Sequence, residues 1–214
     1  MTRPGQERVL VEGAAGAIET VLDIPAEVAA VSPRGIALIA HPHPLFGGTL
    51  DNKVAQTLAR VFAELGYIAV RPNFRGAGAS AGVHDAGRGE TEDMLAVLEY
   101  ARTRFGEVPL ALAGFSFGAF VQTRVAQHID AERLALVGTA VGRVIGDADT
   151  GTVPADTIVI HGELDETVPL ADVLDWARPQ ELPVVVIPGA DHFFHRRLHT
   201  IRNIITSMWR IRPE

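Results

Sequence analysis

The sequence predicts a single-domain α/β protein with a mainly parallel central sheet and helices on both of its faces. Three observations predict it. The chain has 214 residues, 47% of them hydrophobic and 21% charged, which suits one globular domain spanning 1–214 with a core that needs no covalent staples. Its longest apolar runs are strand-sized and nearly continuous, as in strands buried on both faces of a sheet. Segments of helical period stand between those runs, so strand and helix alternate along the chain.

Taken in order, residues 8–12 and 17–24 read as an antiparallel hairpin at the sheet edge, turning at 13–16. In its second strand Ile18, Thr20, Leu22 and Ile24 share one face, with Glu19 and Asp23 on the other. Residues 36–40 are the first buried strand. Over 51–65, Val54, Leu58, Val61, Phe62 and Leu65 fall on one helical face, with Asp51 or Asn52 as N-cap and Gly66 as the stop. A strand at 67–70, a helix at 90–100 with Met94, Leu95, Val97 and Leu98 inward, and a strand at 110–113 follow. Then come a helix at 119–127, strands at 133–137 and 157–160, a helix at 171–176, a strand at 184–187 and a last helix ending near 208. Residues 138–156, rich in Gly and Asp, are the least regular stretch, and no internal repeat, low-complexity segment or linker divides the chain.

Composition removes several function classes. Without cysteine there is no disulfide, no thiolate metal site and no cysteine nucleophile. The formal charge of −7 argues against nucleic acid and anionic membrane as partners, since phosphate recognition needs a basic face. The first ten residues carry Arg3, Glu7 and Arg8 and no apolar h-region, and no apolar run reaches membrane-spanning length. A cytoplasmic protein without membrane association is therefore expected. Homo-oligomerisation is left open.

In open α/β sheets, sites form beyond the carboxyl ends of the strands. After the strand at 110–113 stands Gly114-Phe115-Ser116-Phe117-Gly118, followed by a helix. A tight strand–turn–helix with small residues two positions either side lifts the Ser116 hydroxyl to the head of that helix, where the Phe117 N–H faces incoming negative charge. The plainer alternative is a serine that only caps the helix.

A hydroxyl needs a base, and the base an orienting partner. Asp165 follows the strand at 157–160, with Glu163 and Glu166 as competing carboxylates. His192 follows the strand at 184–187, with His195 one helical turn beyond. A serine, an acid and a histidine, each at a strand carboxyl end and in that chain order, fit one hydrolase architecture.

On these residues the chain resembles the α/β-hydrolase superfamily, most closely the small cap-less branch related to dienelactone-hydrolase-type serine hydrolases. The resemblance runs from about residue 36 to 194, through His41-Pro42-His43-Pro44, Gly47-Gly48-Thr49, Asp51-Asn52, Asn73-Phe74-Arg75-Gly76, Gly114 to Gly118, His161-Gly162 with Asp165, and Asp191-His192. It implies an α/β-hydrolase fold without a cap domain, Ser116 as nucleophile, His192 as base and Asp165 as acid, acting through an acyl-enzyme. True dienelactone hydrolases use a cysteine nucleophile, which this chain lacks, so their substrate does not transfer.

The resemblance also implies that the His-Pro loop supplies a second oxyanion donor beside Phe117. Proline has no N–H, so the donor is His43, Leu45 or a later residue, with His43 favoured by position and Leu45 second. The rival reading, two histidines of a metal site, lacks a third ligand at a recognisable spacing. Neither a metal nor a cofactor is expected. Gly47-Gly48-Thr49 is not followed by the lysine of a phosphate-binding loop. Arg75 reads as structural, tying loop carbonyls together.

The short 138–156 stretch leaves no room for a cap, so an open, shallow site is expected. Six of the nine phenylalanines fall in the site loops, and Phe46, Phe74 and Phe193 are the candidate pocket residues for an apolar acyl or aromatic group. The expected activity is hydrolysis of small carboxylic esters with short acyl chains. The alternatives are acyl transfer or peptide or amide cleavage by the same residues, and a silent binding protein that keeps the fold.

Overall fold

The structure, a computed structural model, describes residues 5–25, 33–142 and 150–210. Part of the irregular 138–156 stretch, residues 143–149, lies outside the described residues. Eight strands form one sheet: β1 (Gly5–Gly13), β2 (Gly16–Ile24), β3 (Gly35–Ala40), β4 (Tyr67–Pro72), β5 (Leu110–Phe115), β6 (Arg133–Val137), β7 (Ile158–Gly162) and β8 (Val184–Ile187). The helices are α1 (Lys53–Glu64), α2 (Arg88–Phe105), α3 (Phe117–Val125), α4 (Leu170–Ala177) and α5 (Leu198–Arg210).

The sheet order is β1-β2-β4-β3-β5-β6-β7-β8. The β1–β2 hairpin is antiparallel and joins β4 antiparallel; every pair from β4 to β8 is parallel. The chain passes from β3 to β4 on one side and returns to β5 on the other. The crevice at that reversal, beyond the carboxyl ends of β3 and β5, is where a doubly wound sheet accepts ligands.

The apolar runs form strands because both sheet faces are covered. On one face Val97, Leu98, Phe120, Val121 and Val173 from α2, α3 and α4 pack on Leu38, Val70, Leu112 and Leu136. On the other, Leu58, Phe62, Ile201, Ile205 and Trp209 from α1 and α5 pack on Ile39, Ala111, Ala113 and Ile160.

Boundaries differ from the sequence reading where polar caps decide them. Asn52 is the N-cap of α1, its side chain accepting from Val54 and Ala55. α2 starts at Arg88 because the buried Glu90 carboxylate accepts the N–H of Gly87 and of Asp85. α3 stops at Val125, where Gln127 N–H bonds to Arg124 O in a tighter turn. β7 runs on to Gly162, so His161 lies inside the strand rather than in the loop after it.

The hairpin forms at the sheet edge as expected, and its second strand carries two buried carboxylates. Glu19 and Asp23 do not face solvent. Asp23 Oδ2 accepts from Arg71 Nε at 2.8 Å. Glu19 holds Arg8, the Asn73 side chain at 2.7 Å and the Ala79 N–H at 2.8 Å, which fixes the loop after β4.

Candidate active site

Ser116 sits at the turn between β5 and α3 with φ 56° and ψ −121°, a left-handed φ that side chains rarely adopt. Three backbone bonds and one steric constraint hold it there. Its N–H donates to Val137 O at 2.9 Å, and its carbonyl accepts from Phe120 and Ala140 at 3.2 Å. The fourth constraint is steric: a Cβ at Gly114 would stand 2.5 Å from Gly118 O, and one at Gly118 2.4 Å from the Ala40 and His41 carbonyls. The two glycines are therefore required by close approach of backbone to backbone. The serine side chain caps nothing, so its hydroxyl is free for His192.

His192 Nε2 lies 2.9 Å from Ser116 Oγ, and its Nδ1 lies 2.7 Å from Asp165 Oδ2. Asp165 Oδ1 accepts from Thr167 N–H at 2.9 Å and Val168 N–H at 2.8 Å, which fixes the carboxylate plane. All three side chains are buried, and the His192 ring stacks against Phe115 at 5.0 Å. The rivals are exposed. Glu163 accepts from Gly189 N–H and is exposed, and Glu166 is exposed. His195 is an exposed partner of Asp191, whose carboxyl that pairing holds below the usual range. The chemistry open to such an array is proton transfer from a hydroxyl to an imidazole that a carboxylate orients.

Among the described residues no acceptor engages the backbone N–H of Phe117 or of His43, whereas Leu45 N–H is held by His43 Nδ1 at 3.3 Å. Of the two candidate donors in the His-Pro loop, His43 alone has a free N–H. The loop is tight because Gly48 N–H bonds back to His43 O. The His43 ring packs among Phe46, His84 and Phe117 at 4.5–4.9 Å, and partial burial, then His84, lowers its pKa.

The two histidines of this loop point apart. His41 is buried, with Nδ1 on Pro42 O and Nε2 accepting Phe74 N–H. Among the described residues no group of His, Asp and Glu has the arrangement of a metal site. No described helix is long and apolar enough to cross a membrane.

The pocket residues divide. Phe46 is 86% exposed and rests on His43 at 4.9 Å, and Phe193 is 50% exposed and packs 5.1 Å from His192; Leu45, Val83 and Leu164 are further exposed apolar side chains. Phe74 is 1% exposed and packs in the core between His41 and Phe117, so it lines no open pocket. Arg75 does not tie loop carbonyls; its guanidinium makes a two-pronged bond to Asp93 on α2, both bonds at 2.8 Å. Two surface concavities, of about 230 and about 370 Å³, are lined by other residues. His161, which carries the resemblance together with Gly162 and Asp165, has no role assigned by sequence reading; its ring is wholly buried behind Asp165, a titratable residue in an otherwise apolar strand.

Comparison with known proteins places these features in context. Residues 25–144 match the family model of X-Pro dipeptidyl-peptidase (S15 family). The uncharacterized protein RP471 of Rickettsia prowazekii is 31% identical over 190 residues, covering 83% of this chain and 80% of its own. The structure of XC6422 from Xanthomonas campestris, described as an α/β serine hydrolase without lid, is 34% identical with a TM-score of 0.88, covering 100% of this chain and 99% of its own. An α/β serine hydrolase homologue from Coxiella burnetii is 36% identical with a TM-score of 0.84, covering 94% of this chain and 96% of its own.

Proposed function

The chain belongs to the α/β-hydrolase superfamily, among the serine hydrolases without a lid and with residues 25–144 in the X-Pro dipeptidyl-peptidase (S15) family, and on that premise we propose that it hydrolyses small carboxylic esters through a Ser116–His192–Asp165 triad. One observation carries the proposal: the unbroken hydrogen-bond chain from Ser116 Oγ through the imidazole to Asp165 Oδ2, at 2.9 and 2.7 Å.

In the proposed reaction His192 Nε2 takes the hydroxyl proton as Ser116 Oγ attacks the ester carbonyl. The carbonyl oxygen gains the negative charge and accepts from the N–H groups of Phe117 and His43. A donor of this kind typically contributes about 3 kcal/mol. Asp165 stays ionised and stabilises the imidazolium. His192 then protonates the departing alkoxide, leaving an ester on Ser116. Water, deprotonated by His192, attacks that ester in the same way, and the acid leaves as the proton returns to Ser116.

The exposed rim of Phe46 and Phe193 supports an apolar acyl group of modest length, since an open site covers only the first few carbons. A second reading, cleavage of peptides or amides by the same residues, is favoured by the S15 match. Fluorophosphonate labelling of the wild type and of Ser116→Ala tests the nucleophile: label on the wild type alone is expected, and equal label on both overturns it. Turnover of p-nitrophenyl esters from acetate to octanoate, against dipeptidyl p-nitroanilides ending in proline, then separates the two readings.

A further inference from the structure

Behind Asp165 lies a second buried imidazole that the proposed reaction does not use. His161, on β7, is wholly shielded from solvent. Its Nε2 lies 2.9 Å from Val168 O and 3.4 Å from Asp165 Oδ2. A carbonyl oxygen only accepts, so Nε2 carries the hydrogen and donates. Its Nδ1 is buried without a hydrogen-bond partner. That atom is consequently the unprotonated nitrogen.

Protonating His161 would place a charge in a buried site and a second N–H where nothing accepts it. Burial drives its pKa down, outweighing the opposing pull of the Val168 carbonyl and Asp165. Among ionisable groups, Asp165 and His192 are the two that bear on it. The ring therefore remains a neutral donor.

We propose that His161 is a positioning residue that holds Asp165 in register with His192 through the backbone of Val168. Val168 is gripped at both ends: its N–H donates to Asp165 Oδ1 at 2.8 Å while its carbonyl accepts from His161 at 2.9 Å. The imidazole thus anchors Val168 by its carbonyl, one Cα away from the N–H that fixes Oδ1, and that leaves Oδ2 turned to His192 Nδ1 at 2.7 Å. A neutral donor suits the place. A cation against Oδ2 would compete with the imidazolium that Asp165 has to stabilise during the reaction, whereas a neutral N–H steers the carboxylate and leaves its charge available.

This inference rests on the triad reading above, and its test separates the two. His161→Gln can present an amide N–H at about the reach of Nε2; His161→Leu removes the donor and keeps an apolar side chain of moderate size. In His161→Leu, kcat is expected to fall at least tenfold with KM within twofold of wild type. The acidic limb of the pH–rate profile is expected to move to lower pH, because a misaligned Asp165 stabilises the His192 imidazolium less. His161→Gln is expected to restore both. A folded His161→Leu with kcat and acidic limb unchanged overturns the proposal, as does a folded His161→Gln that behaves like His161→Leu. Should His161→Leu fail to fold, nitrogen-15 histidine NMR of Ser116→Ala still decides. The expected spectrum has residue 161 as the neutral Nε2–H tautomer down to pH 5; an Nδ1–H tautomer, or titration near neutrality, overturns the assignment. That spectrum owes nothing to catalysis, so a wild type that resists fluorophosphonate overturns the triad and leaves the His161 readout separate.

Discussion

Phe74 donates its backbone N–H to Nε2 of the buried His41 imidazole at 2.9 Å, while Nδ1 of the same ring donates to Pro42 O at 2.6 Å. One neutral ring thereby joins the loop after β3 to the loop after β4 and holds the loop segment that leads into the His43 N–H. Burial pushes the His41 pKa from 6.5 down to about 4. Protonation would also turn the acceptor of Phe74 into a donor facing another donor.

The consequence is acid sensitivity. The unfolded chain takes up this proton near 6.5 and the folded chain only near 4, so neutral His41 contributes full stability above the first value and loses it as pH falls toward the second. The loss at full extent is on the order of 3 kcal/mol. His161, shifted down for the same reason, adds a loss of the same sign. Urea unfolding between pH 7.5 and pH 4.5 is expected to show the midpoint dropping with acid. His41→Asn is expected to be less stable at pH 7.5 and to show a shallower drop; an equal slope in both proteins refutes this origin.

A second expectation concerns Arg75 and Asp93, paired through two bonds of 2.8 Å and both buried. Removing one partner of such a pair strands a charge, at a cost of about 3–5 kcal/mol. Asp93→Ala should reach that range by chemical denaturation. Arg75→Met with Asp93→Ala should recover much of it, because no isolated charge then remains. A double-mutant cycle that returns simple additivity refutes the coupling.

The turn carrying Ser116 provides the third. A methyl at position 118 would press within 2.4 Å of the Ala40 and His41 carbonyls, which are backbone and cannot swing aside. Gly118→Ala should therefore cost about 1–3 kcal/mol. It should also slow fluorophosphonate labelling well beyond the unfolded fraction, because α3 and β3 must separate and take the Phe117 and His43 N–H groups apart. Gly47→Ala, with φ 78° but open space around it, should cost stability by backbone strain alone and leave the distance between those donors unchanged. Labelling rates that track stability equally in both variants would count against the steric argument.

These particulars show which parts of the molecule local pattern makes legible. The runs at β3, β5 and β6 are readable because strands covered on both faces have to be apolar throughout. The spacing of Gly114, Ser116 and Gly118 is readable because close backbone approach excludes every other side chain at the flanking positions. The burial of Glu19 and Asp23 is not legible in the alternation of β2, because their partners, Asn73 and Arg71, arrive from β4 and the loop beyond it, dozens of residues away. Arg75 was read as structural, but its carboxylate partner stands on the far side of a loop. Phe74 looked like its neighbours in the site loops, yet the His41 bond turns its backbone inward and its ring with it. In each case a polar contact between distant elements decides burial, and no periodicity reports such a contact.

The last expectation follows from the two exposed phenylalanines. The Phe193 ring packs 5.1 Å from the His192 ring and 6.0 Å from Phe115, while Phe46 rests on His43 at 4.9 Å. These rings rest on the proposed base and on the loop of the proposed oxyanion donor, so a chain attached to the acyl carbon at Ser116 is expected to meet one of them. Covering about 50 Å² of apolar surface there is worth about 1 kcal/mol, close to a tenfold gain in kcat/KM. Phe193→Ala and Phe46→Ala should each be compared with wild type on p-nitrophenyl acetate, butyrate and octanoate. The ring that guides the chain should cost about fivefold to tenfold on the longer esters and little on acetate, whose methyl group reaches neither ring. Phe74→Ala should behave differently: a buried ring removed from the core costs about 3–5 kcal/mol of stability, and the active fraction keeps the wild-type chain-length profile. If neither exposed ring alters that profile, the apolar rim does not select the acyl group.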